Sequence, residues 1–365
     1  MNVLLIVDRA HLMNECQQLH RLAVALTANG CSVKTLIPEA TAEDAHSAVR
    51  PIGIGTPLHY KEKIARWLVA DQVDALCTRM ERMNIDLIWT IGQDAWQISG
   101  MISKKLERPI VLQIDSLDEA RKVRKFRRTF ETAGVIVPSE ALRSLVAKKN
   151  PRNEVRLIPR GVAAGKRERE IRPHDSEDTS ISIAVLGCGR SKSEDKACLE
   201  ALATLRRRNH DIHCVVELPD HGSANTWKTL RKNQLMDIVT TIGESARFTN
   251  LIAACDLLIR ASVDDRVHPI VLEAMAENTP IITRQEPWLD HLHAGKGVTI
   301  VDAATSEGWV AALEPLLQSA ERRKLEGEAA RREIERHHLS SVRANDVLVF
   351  FEDIVGVPSL QMDQD

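Results

Sequence analysis

Residues 264 to 284 read DDRVHPIVLEAMAENTPIITR, and within them Asp265 and Glu273 stand with seven residues between. Pro269 suits the first position of a helix, Ile270, Val271 and Ala274 give that helix an apolar face, and Asn278 falls where a left-handed residue would end it. Thr279-Pro280 then turns the chain into Ile281-Ile282-Thr283, a short run of the kind buried in parallel sheets. The helix entrance is therefore expected near the carboxyl edge of such a sheet, where ligands bind. Both carboxylates can reach one pocket there. Glu273 would accept hydrogen bonds from neighbouring hydroxyls such as those of a ribose, while free amides at the helix start favour a phosphate.

The elements that must hold this pair form two alternating series. Apolar runs predict strands at Val3 to Val7, Ser32 to Ile37, Leu87 to Thr90, Ile110 to Ile114, Gly134 to Val137 and Val155 to Ile158, with helices such as Glu15 to Ala28 and Lys61 to Met83 between them. A polar, charged stretch follows (166–179), and a second series begins with Ile181 to Leu186, Asp211 to Glu217, Asp237 to Ile242, Leu257 to Ile259, Pro280 to Thr283 and Val298 to Ile300. Alternation of strand and helix means parallel, doubly wound sheets, so the expected class is α/β with two Rossmann-like domains facing a cleft. The expected boundaries are 1–165, a charged linker 166–179, 180–330, and 331–365 ending in a helix. Trp309 to Val355 is helical by pattern, with Val347 to Phe351 as a buried face.

Composition supports two globular domains and excludes several classes. A chain of 365 residues exceeds one typical core, and 44% apolar with 27% charged residues marks a soluble protein. The net charge of -2, with aromatics at only 3%, gives neither a global attraction for nucleic acid nor a base-stacking platform. Seven scattered cysteines without a CxxC pair read as small buried residues in a reducing cytoplasm. Leu4 to Val7, stopped by Asp8, reads as a first strand and not a signal peptide. No dinucleotide fingerprint, P-loop, GxSxG or HExxH occurs. His291 and His293 lack a third metal ligand nearby in sequence, and Asp363 with Asp365 lie at a terminus.

The motif built on Asp265, Glu273, Ala274-Met275-Ala276 and Thr279-Pro280 resembles that of the retaining GT-B glycosyltransferases of family 4, with Asp in place of a first Glu and Asn278 in place of a Gly. Residues 134–162, ending Ile158-Pro159-Arg160-Gly161-Val162, and residues 184–196, AVLGCGRSKSEDK, are similar to two further segments of that family. The resemblance implies that Asp265 faces the donor sugar, Glu273 holds the nucleotide ribose, and Arg190 with Lys196 neutralises the departing diphosphate. Lys192 is an alternative match to Lys196. His268, directly before Pro269, belongs to the same donor-binding set, and backbone at Arg247 to Thr249 would meet the base. The final helix is expected to cross back onto the first domain.

The first domain departs from the family pattern. A Gly-rich loop is usual after the first strand, and here Asp8-Arg9-Ala10-His11-Leu12-Met13-Asn14-Glu15 has no glycine. A catalytic-site His is usual after the strand Ile110 to Ile114, and Asp115 stands there instead. Asp115 could bond a sugar hydroxyl or hold an acceptor, or Asp115-Ser116 could simply cap a helix. Arg160 replaces an Asn. The expected function is transfer of a sugar from a nucleotide-diphosphate donor to a glycan, lipid-linked or small-molecule acceptor, with retention, without a metal and without a cofactor. The alternative is a catalytically inactive GT-B-like binding or scaffold protein of a polysaccharide pathway, and an epimerase on the same fold is a third. The run Arg121, Lys122, Arg124, Lys125, Arg127, Arg128 around Val123, Phe126 and Phe130 is either a solvated helix or a contact with the cytoplasmic face of an anionic membrane.

Overall fold

The computed structural model describes residues 1–40, 52–62, 65, 67–149, 154–165, 180–188, 191–218, 224–243, 251, 255–262 and 268–356. The chain divides into two compact units, Met1–Gly161 with Ser340–Asp365, and Val162–Leu339. The segment 166–179, read from sequence as a linker, lies outside the described residues.

The first unit holds a seven-stranded sheet of β1 (Asn2–Val7), β2 (Ser32–Pro38), β3 (Leu58–Tyr60), β4 (Leu87–Ile91), β5 (Ile110–Gln113), β6 (Gly134–Val137) and β7 (Glu154–Leu157). The order is β3-β2-β1-β4-β5-β6-β7, every pairing is parallel, and the winding reverses between β1 and β4. Strands buried on both faces need helices on both. Leu4 and Ile6 face α2 (Leu68–Met80), α3 (Trp96–Leu106), α4 (Leu117–Phe126) and α5 (Glu140–Lys149), while Val3, Leu5 and Val7 face α1 (Arg9–Ala28) and a helix from the far end of the chain.

The second unit holds β8 (Ile181–Leu186), β9 (Ile212–Glu217), β10 (Val239–Ile242), β11 (Leu257–Arg260), β12 (Ile281–Arg284) and β13 (Val298–Val301) in the order β10-β9-β8-β11-β12-β13, again all parallel. One face is covered by α6 (Lys192–Arg207), α7 (Ala224–Lys232) and α9 (Ser306–Gln318), the other by α8 (Pro269–Ala276) and α10 (Ala320–His337). The helical stretch at the end is thus three helices. Ser319 separates α9 from α10 by accepting from the Arg322 amide, and α11 (Ser340–Val355) packs in the first unit. Its Phe351 meets Trp89 of β4 edge to face, with ring centroids 5.4 Å apart. All seven cysteines are free, and all but Cys16 are buried.

Where the family usually carries a glycine-rich loop, α1 begins at Arg9, two residues after β1 ends. Asp8 caps it, its Oδ1 accepting from the His11 amide at 2.9 Å. Asp8 also lies against Gly92 of the crossover after β4, where any Cβ would fall 2.0 Å from Asp8 Oδ2. Glycine at φ 90° is needed there for two reasons, the left-handed backbone and the contact.

Candidate functional site

In the second unit, α8 starts at Pro269 and contributes buried side chains from Ile270 through Ala276. Glu273, five positions in, is the one carboxylate among them and is only 7% exposed. Asn278 takes φ 59°, the left-handed turn its position implied, and the Thr279 amide returns to the Ala274 carbonyl at 2.9 Å. His268 precedes the helix with extended backbone, and its carbonyl accepts from the Val271 amide at 3.0 Å. The β11 to β12 pairing places this helix start beside the switch point between β8 and β11, at the carboxyl edge.

Asp265, Arg190 and the stretch Arg247 to Thr249 lie outside the described residues. Lys196 sits in the second turn of α6 with its side chain 58% exposed, 3.8 Å from Glu200. Its neighbour Asp195 is buried and accepts from Thr226 at 3.3 Å. The same carboxyl edge carries charges that sequence reasoning passed over. Arg260, closing β11, pairs with Glu286 at 2.5 Å, both buried, and Thr283 donates to Glu286 at 3.2 Å. Glu217 accepts from the Gly187 amide at 3.0 Å, and Arg284 pairs with Glu194. Charged residues closing otherwise apolar parallel strands were the available signal. His291 is buried beside His338, with ring centroids 5.4 Å apart, and burial together with the charges of His338, Arg260, Lys296 and His293 pushes its pKa well below the usual value. Among the described residues no group of three or more His, Cys, Asp or Glu is arranged to hold a metal ion.

In the first unit, the carboxyl edge carries a buried ionic network. Arg160, following β7, forks onto Asp115, with Nε 3.1 Å from Oδ1 and Nη2 2.6 Å from Oδ2, and its Nη1 lies 2.6 Å from Glu15 of α1. Gln113 donates to Asp115 Oδ2 at 2.7 Å and accepts from Arg343 of α11 at 3.2 Å. The Asp115 amide donates to Glu119 at 2.7 Å, and Ser116, not Asp115, caps α4 by accepting from the Glu119 amide at 3.2 Å. His11 Nδ1 lies 2.8 Å from Asp8, and its Nε2 lies 3.7 Å from Asp115 Oδ2. All of these side chains are buried.

Burial disfavours a charged His11, but the hydrogen bond it donates to Asp8 and the fields of Glu15, Asp8 and Asp115 outweigh it and push the imidazole up to about 9. Burial also works against the Asp8 charge, and the His11 hydrogen bond and charge, with the His11 and Asp94 amides, still hold the carboxyl below its usual range. Burial and the nearby Arg160 bring the Arg343 guanidinium down to about 9 against the pull of Asp115 and Glu15. Sequence reasoning marked Asp115 and Arg160 but missed Asp8, His11, Glu15 and Arg343. The spacing of Asp8, His11 and Glu15, which puts all three at one end of one helix, was the only local sign.

Comparison with known proteins converges on the same architecture. Residues 17–165 match the model of Glycosyltransferase Family 4. The alpha-monoglucosyldiacylglycerol synthase of Streptococcus pneumoniae is 29% identical over 185 residues, covering 45% of this chain and 40% of that protein, so the chain matches less than half the length of this relative. Among solved structures, Anabaena HepE in complex with UDP superposes with a TM-score of 0.73 at 14% identity, covering 97% of this chain and 100% of that one. A glycosyltransferase from Rickettsia africae gives 0.71 at 13% over 97% and 98%. Sucrose-phosphate synthase from Thermosynechococcus elongatus gives 0.69 at 15% over 98% and 99%. Residues 17–165 thus match the Glycosyltransferase Family 4 model, and the chain has the fold of these solved glycosyltransferase structures, two parallel-sheet α/β units.

Proposed function

We propose that this protein is a glycosyltransferase that takes a sugar from a UDP-sugar with retention and without a metal. The observation that carries the reading is Glu273: a carboxylate buried in the first turns of a Pro-started helix at the carboxyl edge of the second sheet, where a nucleotide's ribose hydroxyls would meet it. UDP is the favoured nucleotide because the similar Anabaena HepE was solved with UDP and with UDP-glucose. Calorimetric titration with UDP, GDP and ADP tests this. UDP should bind at micromolar Kd and Glu273→Ala should weaken it by about tenfold or more, the loss expected for a charge-assisted hydrogen bond. A folded protein that binds no nucleotide would sink the reading.

The other reading, a binding protein that has lost catalysis, is favoured by one observation: the Arg160 fork on Asp115 occupies the group that would face the sugar. UDP binding without turnover of UDP-glucose would select it, and release of an epimerised sugar would select an epimerase.

The acceptor is proposed to reside at an anionic membrane on the cytoplasmic side, in keeping with a relative named for monoglucosyldiacylglycerol. Ala120 and Val123 of α4 are buried and Phe126 packs on Trp96, so the helix spends its apolar side on the core and exposes Arg121, Lys122, Arg124, Lys125 and Arg128. No described helix is long and apolar enough to cross a membrane. Adhesion would then be by charge. Flotation with phosphatidylglycerol vesicles should succeed in dilute buffer and fail at about 1 M salt, where the Debye length is about 3 Å. Binding that ignores salt, or equal binding to phosphatidylcholine vesicles, would rule it out.

A further inference from the structure

One glycine of the second unit is tied to the strands on both sides of it. Gly187 directly follows β8, and its backbone takes φ 78°, the left-handed region. Its amide donates to Glu217 Oε2 at 3.0 Å, and Glu217 is the last residue of β9. Its carbonyl accepts from Ser262 Oγ at 2.7 Å, and Ser262 is buried two residues beyond β11. This side-chain bond extends the pairing of β8 with β11, whose backbone runs on to a link from the Ala261 amide to the Leu186 carbonyl at 2.9 Å. A Cβ on Gly187 would fall 2.9 Å from Ser262 Oγ. The next residue, Cys188, is buried in the core that α6 covers.

The strand order turns back between β8 and β11, so the Gly187 turn stands at the crevice where a doubly wound sheet takes its ligand. The turn also leads into α6, to which Ser191 gives no side-chain cap, and first-turn amides of that kind suit a phosphate. Two further contacts fix the first turn of α6: Asp195 accepts from Thr226 of α7, and Glu194 pairs with Arg284 of β12. We propose that Glu217 and Ser262 are positioning residues: by holding the amide and the carbonyl of Gly187, they fix the turn that presents the start of α6 to the diphosphate of the nucleotide. Both act through Gly187. What the Gly187 amide needs from position 217 is an acceptor, whereas the carboxylate charge there works against a diphosphate nearby. Freeing the turn and removing the charge therefore change affinity in opposite directions, and variants can separate them.

This role rests on the transferase reading, and the two can fail separately. With the full chain, binding of UDP and of uridine is measured by calorimetry and ligand NMR, and stability by urea unfolding. The variants are Ser262→Ala, Glu217→Ala, Glu217→Gln and the double alanine variant. Ser262→Ala and Glu217→Ala should each weaken UDP binding about tenfold, the scale of a displaced group, and change the affinity for uridine less than about twofold. Glu217→Gln should stay within about threefold of wild type, because its side-chain carbonyl can still accept from the Gly187 amide. The two alanine changes release one turn, so their combined loss should fall short of the product of the separate losses by about threefold or more. A merely structural role would lower the urea midpoint and leave the affinity of the folded protein unchanged. If Ser262→Ala does not fold, the two Glu217 variants decide, since that side chain is only half-buried. Unchanged UDP affinity in the alanine variants, equal losses for UDP and uridine, tighter UDP binding by Glu217→Ala, or Glu217→Gln as weak as Glu217→Ala would overturn this proposal alone, as would fully multiplicative losses in the double variant. A wild-type protein that binds no UDP would overturn the transferase reading and this proposal with it.

Discussion

The carboxyl edges of the two sheets are built on opposite plans. In the second unit, Pro269, Glu273, Asn278, Thr283 and Glu286 come from one run of fewer than twenty residues, and the ion pair Arg260–Glu286 joins neighbouring strand ends. In the first unit, Asp8, Glu15, Asp115, Arg160 and Arg343 come from four separated parts of the chain, and most of them have more than one partner. A local pair is an exchangeable unit. A distributed network is one in which each member is the counter-charge of several others, so its parts cannot be exchanged singly.

Three substitutions probe that contrast. Arg160→Met should have the largest effect, because it leaves both Asp115 and Glu15 buried without their cation; a loss of about 3–5 kcal/mol in urea unfolding is expected, and a loss below about 1 kcal/mol would show that the network is not held by Arg160. The smaller effect is in the second unit. Arg260→Met alone should be costly, but Arg260→Met with Glu286→Leu should return to within about 1 kcal/mol of wild type, since replacing a whole buried pair by apolar groups is often neutral. Failure of that rescue would mean that the pair is as entangled as the network and would erase the distinction.

The same contrast explains what could be read from the sequence. The strands were legible because parallel strands buried on both faces are unbroken apolar runs, and the helix at Pro269 was legible because its start and stop signals are nine residues apart. β3 was not, since Leu58–Tyr60 is too short to show a period. The start of α1 was misplaced by six residues, at Glu15 and not Arg9, because a loop was expected where Asp8 caps the helix directly. The run from Trp309 concealed three helices, although Ser319 carried a capping signal. Arg160 was visible as a departure from the family pattern, but its reason lies 45 positions away at Asp115 and 145 away at Glu15. No periodicity or local motif encodes a partner at that distance. It is also notable that the family model covers the half whose motifs departed most from the pattern. Core spacing and helix positions are carried by many residues at once and outlast a changed site.

The return of α11 to the first unit has a consequence for biogenesis. Ala344, Val347, Phe350 and Phe351 complete the side of that core shared by α1 and the first sheet, and Arg343 reaches its ionic edge. A ribosome delivers those residues after all of Val162–Leu339. The second unit, being continuous, has its whole core available before the first does, so the usual order in which the amino-terminal domain folds first is reversed here. Until the last turns emerge, the nascent first unit presents a bare apolar face, and that interval is when chaperones have the most to hold.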